Sequence, residues 1–87
     1  MALHHEIRKD IRAGIIPADF RVEHLKTRPD PARPGRYVVG DSSYAPRSLE
    51  VIPNNGCIKE DGTLGDYGQK GRSPHFLRIG RGLYRLL

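Results

Sequence analysis

A small α+β domain is the fold class this sequence predicts, with helices through the first two thirds and a β-hairpin at the end. Three observations predict it. An apolar stripe at helical spacing runs through the N-terminal segment, proline and glycine break up the middle, and two short β-prone runs flank Gly80-Arg81-Gly82. With 87 residues the chain admits one domain, 1–87, and one modest core. Ten glycines and seven prolines predict that much of it is loop.

Leu3, Ile7 and Ile11 recur every four residues among charged neighbours, so the spacing predicts a first helix, stopped at Gly14. Ile15, Ile16 and Phe20, interrupted by Pro17, read as a short strand or extended piece. Residues 21–26 suit a short second helix whose entry is clamped by Phe20 and Leu25. Pro29, Pro31 and Pro34 then stop regular structure, making residues 28–36 a stiff connector with solvated arginines.

Tyr37-Val38-Val39 is β-prone, and residues 40–43 form a turn that offers N-caps to a third helix over residues 44–52. Pro46 suits its first turn, Leu49 and Ile52 face inward, and Pro53 ends it. Arg47, Ser48, Tyr44 and Asn54 fall on its outer side. Five glycines between Gly56 and Ser73 predict a long adaptable loop, a length at which function becomes the natural suspicion, with Lys70 and Arg72 as its contacts.

The last thirteen residues carry the most information. With Arg81-Gly82 as the turn, Gly80 faces Leu83, Ile79 faces Tyr84, Arg78 faces Arg85 and Leu77 faces Leu86. Ile79, Tyr84, Leu77 and Leu86 then share a core face, and Arg78 and Arg85 repel across the other, with Arg81 at the tip. A phosphate relieves that repulsion; so does a carboxylate of the domain itself, from Glu6, Asp10 or Glu50. Both readings stay open at this point.

Fifteen Lys and Arg against ten Asp and Glu give a net charge of +5, which favours a polyanionic partner. Cys57 is the only cysteine, so no intramolecular disulfide forms, and it reads as a small half-buried hydrophobe in a reducing, cytoplasmic setting. Neither a secretory leader nor a run long enough to span a bilayer is visible, so no membrane association is expected. His4, His5, His24 and His75 lack metal-ligand spacing, a lone Gly-x-Gly is no dinucleotide site, and residues 60–66 lack the ligand pattern of a calcium loop. No cofactor is expected. The only enzymatic candidate, a nuclease built on His75 with Arg72 or Arg78, has no supporting motif, so the chain is not expected to be an enzyme.

Three helices followed by a hairpin with a glycine-rich tip is the element order of the winged helix-turn-helix, in which the third helix enters the major groove and the wing follows the backbone. The ending Phe76-Leu77-Arg78-Ile79-Gly80-Arg81-Gly82-Leu83-Tyr84-Arg85-Leu86 resembles the wing of a group of small prokaryotic winged-helix domains, found alone or attached to restriction-type nucleases. The first helix, Phe20 and the stretch Ser43 to Leu49 are similar in placement. The proline-rich connector is longer than the turn of a standard helix-turn-helix.

The expected partner is therefore double-stranded DNA, in regulation or in restriction and defence. Arg78, Arg81 and Arg85, with Lys70 and Arg72, are the candidates for phosphate or minor-groove contacts, and Tyr44, Arg47 and Ser48 for base edges. Arg8, Lys9 and Arg12 read as a solvated face. The alternative is a protein-interaction winged-helix subunit or homodimer using Leu83 and Leu87. RNA is disfavoured, because no aromatic pair at stacking spacing lies on a strand.

Overall fold

The computed structural model describes residues 2–87 and is mixed α+β. In chain order it comprises α1 (Leu3–Arg12), β1 (Asp19–Arg21), α2 (Val22–Leu25), β2 (Tyr37–Val39), β3 (Ser42–Tyr44), α3 (Pro46–Asn55), β4 (Cys57–Ile58), α4 (Asp66–Gln69), β5 (Phe76–Gly80) and β6 (Leu83–Leu86). One sheet has the order β1-β6-β5-β4, antiparallel except for the β4–β5 pair; β2 and β3 form a separate hairpin. Among the described residues no helix is long and apolar enough to cross a membrane.

The core joins α1, the sheet and α3. Leu3 and Ile7 meet Ile16, Phe20, Leu25, Val39, Leu49, Cys57, Phe76 and Tyr84. Phe20 lies opposite Tyr84 in register, and its ring is 6.1 Å from that of Tyr84 and 6.2 Å, edge-on, from that of Phe76. Edge-to-face packing of this kind adds about 0.5–1.5 kcal/mol per pair beyond area burial. Phe20 and Leu25 are both buried at the two ends of α2, as the staple spacing predicts, and the Arg21 N–H donates to His24 Nδ1 at 2.8 Å. Cys57 lies deeper than a half-buried residue, its thiol donating to the Asn54 carbonyl at 3.0 Å.

The terminal hairpin differs from the register expected of it. Gly80 does face Leu83, but Arg78 then faces Tyr84, Leu77 faces Arg85 and Phe76 faces Leu86, because Ile79 is an extra, bulged residue. The turn explains the bulge. A plain two-residue hairpin of type I′ needs positive φ at both turn positions, whereas here only Gly82, at +68°, adopts it. Arg81 keeps a negative φ, the turn mismatches the strand twist, and one added residue restores the ribbon. Phe76, Arg78, Tyr84 and Leu86 thus share one side with Phe20. Arg85 shares the other with Leu77, Asp19 and Arg21, and Ile79 and Leu77 stay outside the core.

Three further expectations are corrected. Tyr44 is in β3, not on α3, because the serines that seemed free to cap the helix are engaged in the hairpin. Ser42 donates to Glu6 Oε1 at 3.3 Å, and Ser43 accepts from Arg36 Nε at 3.0 Å. Pro53 sits inside α3, buried in the last full turn; its fixed φ suits a helix and only the bond to the Leu49 carbonyl is lost. Residues 56–73 are not a free loop. The Gly65 N–H donates to the Cys57 carbonyl at 2.8 Å, Ile58 bridges Leu64, and α4 follows.

The connector is held as well as stiff. Arg28 Nη2 lies 2.6 Å from Asp10 Oδ2, and the Val38 N–H donates to the Arg28 carbonyl at 2.8 Å, so Arg28 is not solvated as expected. Asp10 also accepts from the Gly40 N–H at 2.9 Å. Glu6, with no exposed surface, accepts from the Asp41 N–H at 2.9 Å, and Lys9 Nζ sits 3.1 Å from its other oxygen and 3.0 Å from Asp41. Two inward carboxylates of α1 therefore grip the turn between β2 and β3.

Gly40 meets this grip with φ +59°, and a Cβ there would lie 2.9 Å from Glu6. Gly14, at φ +76°, has nothing within 4 Å. Gly14→Ala should cost only the left-handed strain, about 1–2 kcal/mol. Gly40→Ala should cost roughly 1–3 kcal/mol more for the clash. Urea titration of both variants reads the difference; equal losses would mean Glu6 yields freely.

The Glu6 carboxyl is held below its ordinary value, chiefly by the Asp41 N–H, with Lys9 and Ser42 assisting against burial. A depressed folded-state value favours the ionised form, so this contribution is complete above about pH 4.5, the ordinary value for the unfolded chain, and fades as pH falls through the folded value. Glu6→Gln should be less stable at neutral pH and lose less on acidification. Thermal melts between pH 7 and 3 check the slope, and parallel slopes would remove Glu6 from the acid response.

Candidate nucleic-acid interface

The ribbon tip is built from two elements. Arg81 is exposed, and its side chain makes no ion pair or hydrogen bond among the described residues. Its carbonyl accepts from Arg21 Nη1 at 3.1 Å. Arg21 ends β1 opposite Leu83, one residue from the turn, so two guanidinium groups gather at the tip. Arg21 was not among the residues singled out from sequence. Its place depends on β1 pairing with β6 sixty residues later, which no local pattern signals.

Arg78 and Arg85, expected to repel each other, are apart and each has an acid. Arg85 binds Asp19 through both ends of its fork, Nε at 2.7 Å and Nη2 at 3.0 Å, across the β1–β6 pair. Arg78 pairs with Glu60 from the turn after β4. Both arginines hold their acids below the carboxylate range, and both are raised in return. The repulsion is thus settled internally, by acids other than Glu6, Asp10 and Glu50, which are engaged elsewhere. Glu50 pairs with Lys26 at 2.7 Å, tying α2 to α3.

On α3, Arg47 is exposed and without an ion pair or side-chain hydrogen bond among the described residues; Ser48 is half-buried beside it. Asn54 is exposed two turns on, with the Glu50–Lys26 pair between. Tyr44 lies apart from this face, half-buried, its phenol raised by burial against a bond from Ser42. Lys70 pairs with Asp66 at 3.1 Å one turn back in α4, and the Arg72 guanidinium lies 5.5 Å above the Tyr67 ring.

A second basic surface joins α1 to β6. Arg8, Arg12 and Arg85 line a shallow cleft of about 320 Å³ with Ile11 and Leu87, which is 54% exposed. Arg8 Nη2 reaches the Leu87 carbonyl at 3.3 Å, and Lys9, engaged with Glu6 and Asp41, is not simply solvated. The sequence matches no protein-family model, no curated protein and no solved structure.

Proposed function

We propose that this chain is a winged helix-turn-helix domain that binds duplex DNA, with a hairpin, β2–β3, standing in place of the tight turn before the third helix. The strand order supports the fold reading. A short strand between the first two helices pairs with the last strand of the ribbon, and α3 precedes the ribbon in sequence. β4 adds a parallel edge to that plan.

The observation that carries the binding reading is the exposed tip, where Arg81 and Arg21 present guanidinium groups without a neutralising acid among the described residues. Backbone phosphates are the ligand such a tip suits, and Arg47 is the base-edge candidate. Ser48 sits beside it in a supporting place. Arg78 and Arg85 are secondary, since a phosphate must first displace Glu60 or Asp19. Lys70 has a similar internal competitor in Asp66.

A protein-interaction module is the second reading, favoured by Leu87, exposed beside the apolar wall of the α1–β6 cleft. Salt separates the two. Duplex affinity should fall with added salt in proportion to phosphates contacted, with a log–log slope of about 0.9 per contact. In a gel-shift titration with random duplex at two salt concentrations, Arg21→Ala with Arg81→Ala should weaken binding and lower the slope by about 2. Asp19→Asn should strengthen binding by releasing Arg85. Salt-independent binding, or no binding at low salt, would overturn the duplex reading, and a protein partner retained by the double variant would favour the second.

A further inference from the structure

A cleft of about 650 Å³ opens where the N-terminus of α1, β3, α3 and the segment around α4 meet. Its volume lies in the range of small-molecule sites, roughly 300–1,000 Å³. Tyr44 comes from β3 and Tyr67 from α4, while Phe76 and Ile52 supply apolar wall. Arg72 and the His4–His75 pair complete it, and among the described residues no carboxylate lines it.

The polar groups are placed by the fold. The Arg72 N–H donates to the Tyr67 carbonyl at 2.9 Å just after Gly71, at φ +85°, which turns the chain so that the guanidinium lies over the Tyr67 ring. The His4 and His75 rings stack at 3.7 Å and 11°, joining α1 to the residue before β5. Gly56 lets the wall pack closely, since a Cβ there would stand 3.1 Å from the Ile52 carbonyl and 3.6 Å from the rings of Tyr67 and Phe76.

Aromatic walls, an apolar floor and one cation without an acid define a ligand that is planar, aromatic and anionic. Bases stack on tyrosine irrespective of sequence, and arginine pairs with phosphate. We propose that this cleft binds a single nucleotide, its base against the tyrosine walls and its phosphate at Arg72. The nucleotide comes either free or as one unstacked unit of a strand. The site is separate from the ribbon tip and does not rest on the duplex reading.

The test is an NMR titration of the full chain with adenosine 5′-monophosphate, cytidine 5′-monophosphate, adenosine and a short single-stranded oligonucleotide. Shifts should gather on Tyr67, Arg72 and His75. Arg72→Gln should weaken the monophosphates at least fivefold and leave adenosine unchanged. Tyr67→Leu should weaken all ligands by a similar factor, and Tyr67→Phe, which keeps the ring should the leucine variant unfold, should retain binding. Saturation by monophosphates identifies the free nucleotide as the source; saturation by the oligonucleotide alone identifies a strand. No saturation by either at millimolar concentration, shifts confined elsewhere, or an Arg72→Gln variant that binds the monophosphates as tightly as the parent overturns the proposal. Arg21→Ala with Arg81→Ala should leave the cleft titration intact, so failure of the duplex reading is distinguishable from failure here.

Discussion

The grip of Glu6 and Asp10 on the turn between β2 and β3 is the constraint on which the arrangement depends. Burying two carboxylates is costly, and it is tolerated here because each accepts a backbone N–H, from Asp41 and Gly40, and faces a cation, Lys9 or Arg28. These bonds fix a hairpin that has only three residues per strand. They thereby place Val39 in the core and Tyr44 at the cleft, and α3 begins two residues after Tyr44. The direction of α3 is thus inherited from α1 through side chains that a hydrophobic reading of α1 counts as solvent-facing.

That dependence marks the boundary of what the sequence makes legible. The first helix follows from Leu3, Ile7 and Ile11, and the inward positions Leu49 and Ile52 follow from spacing within α3. Such signals are local. Glu6 and Asp10 share no pattern that distinguishes a buried carboxylate from a solvated one, since the partners that stabilise them lie thirty or more residues away for the turn and eighteen for Arg28. Tyr44 was misplaced onto α3 for the same reason: Ser42 and Ser43 look like caps until their distant partners, Glu6 and Arg36, are known.

Of the candidate site, Arg47 and Arg81 sit where sequence placed them, one on the exposed face of α3 and one at the ribbon tip. Arg78 and Arg85 do not oppose each other, and a single residue decided it. Ile79 is an ordinary strand residue by composition, and only the φ demanded of Arg81 reveals that the ribbon must accommodate one extra position. A one-residue slip exchanges faces, so Leu77 and Arg78 on β5 swap sides while Tyr84, Arg85 and Leu86 on β6 keep the faces expected of them. Arg78 thereby leaves the face of Arg85 and pairs with Glu60, whereas Arg85 meets Asp19 through the β1–β6 register.

Net charge is consequently a poor map of where unpaired cations lie in this domain. Arg28, Arg78, Arg85, Lys9, Lys26 and Lys70 all have internal acids, so the formal excess of +5 is expressed mainly by cations such as Arg21, Arg47 and Arg81. The exposed pairs among these add little to stability. In the duplex-binding reading their larger effect is on where the polyanion would settle. A phosphate approaching Arg85 would compete with a bidentate carboxylate, whereas Arg81 offers no such competitor among the described residues, so the pairing would steer contact toward the tip. In the duplex-binding reading, Asp19 and Glu60 set orientation as much as the arginines set affinity.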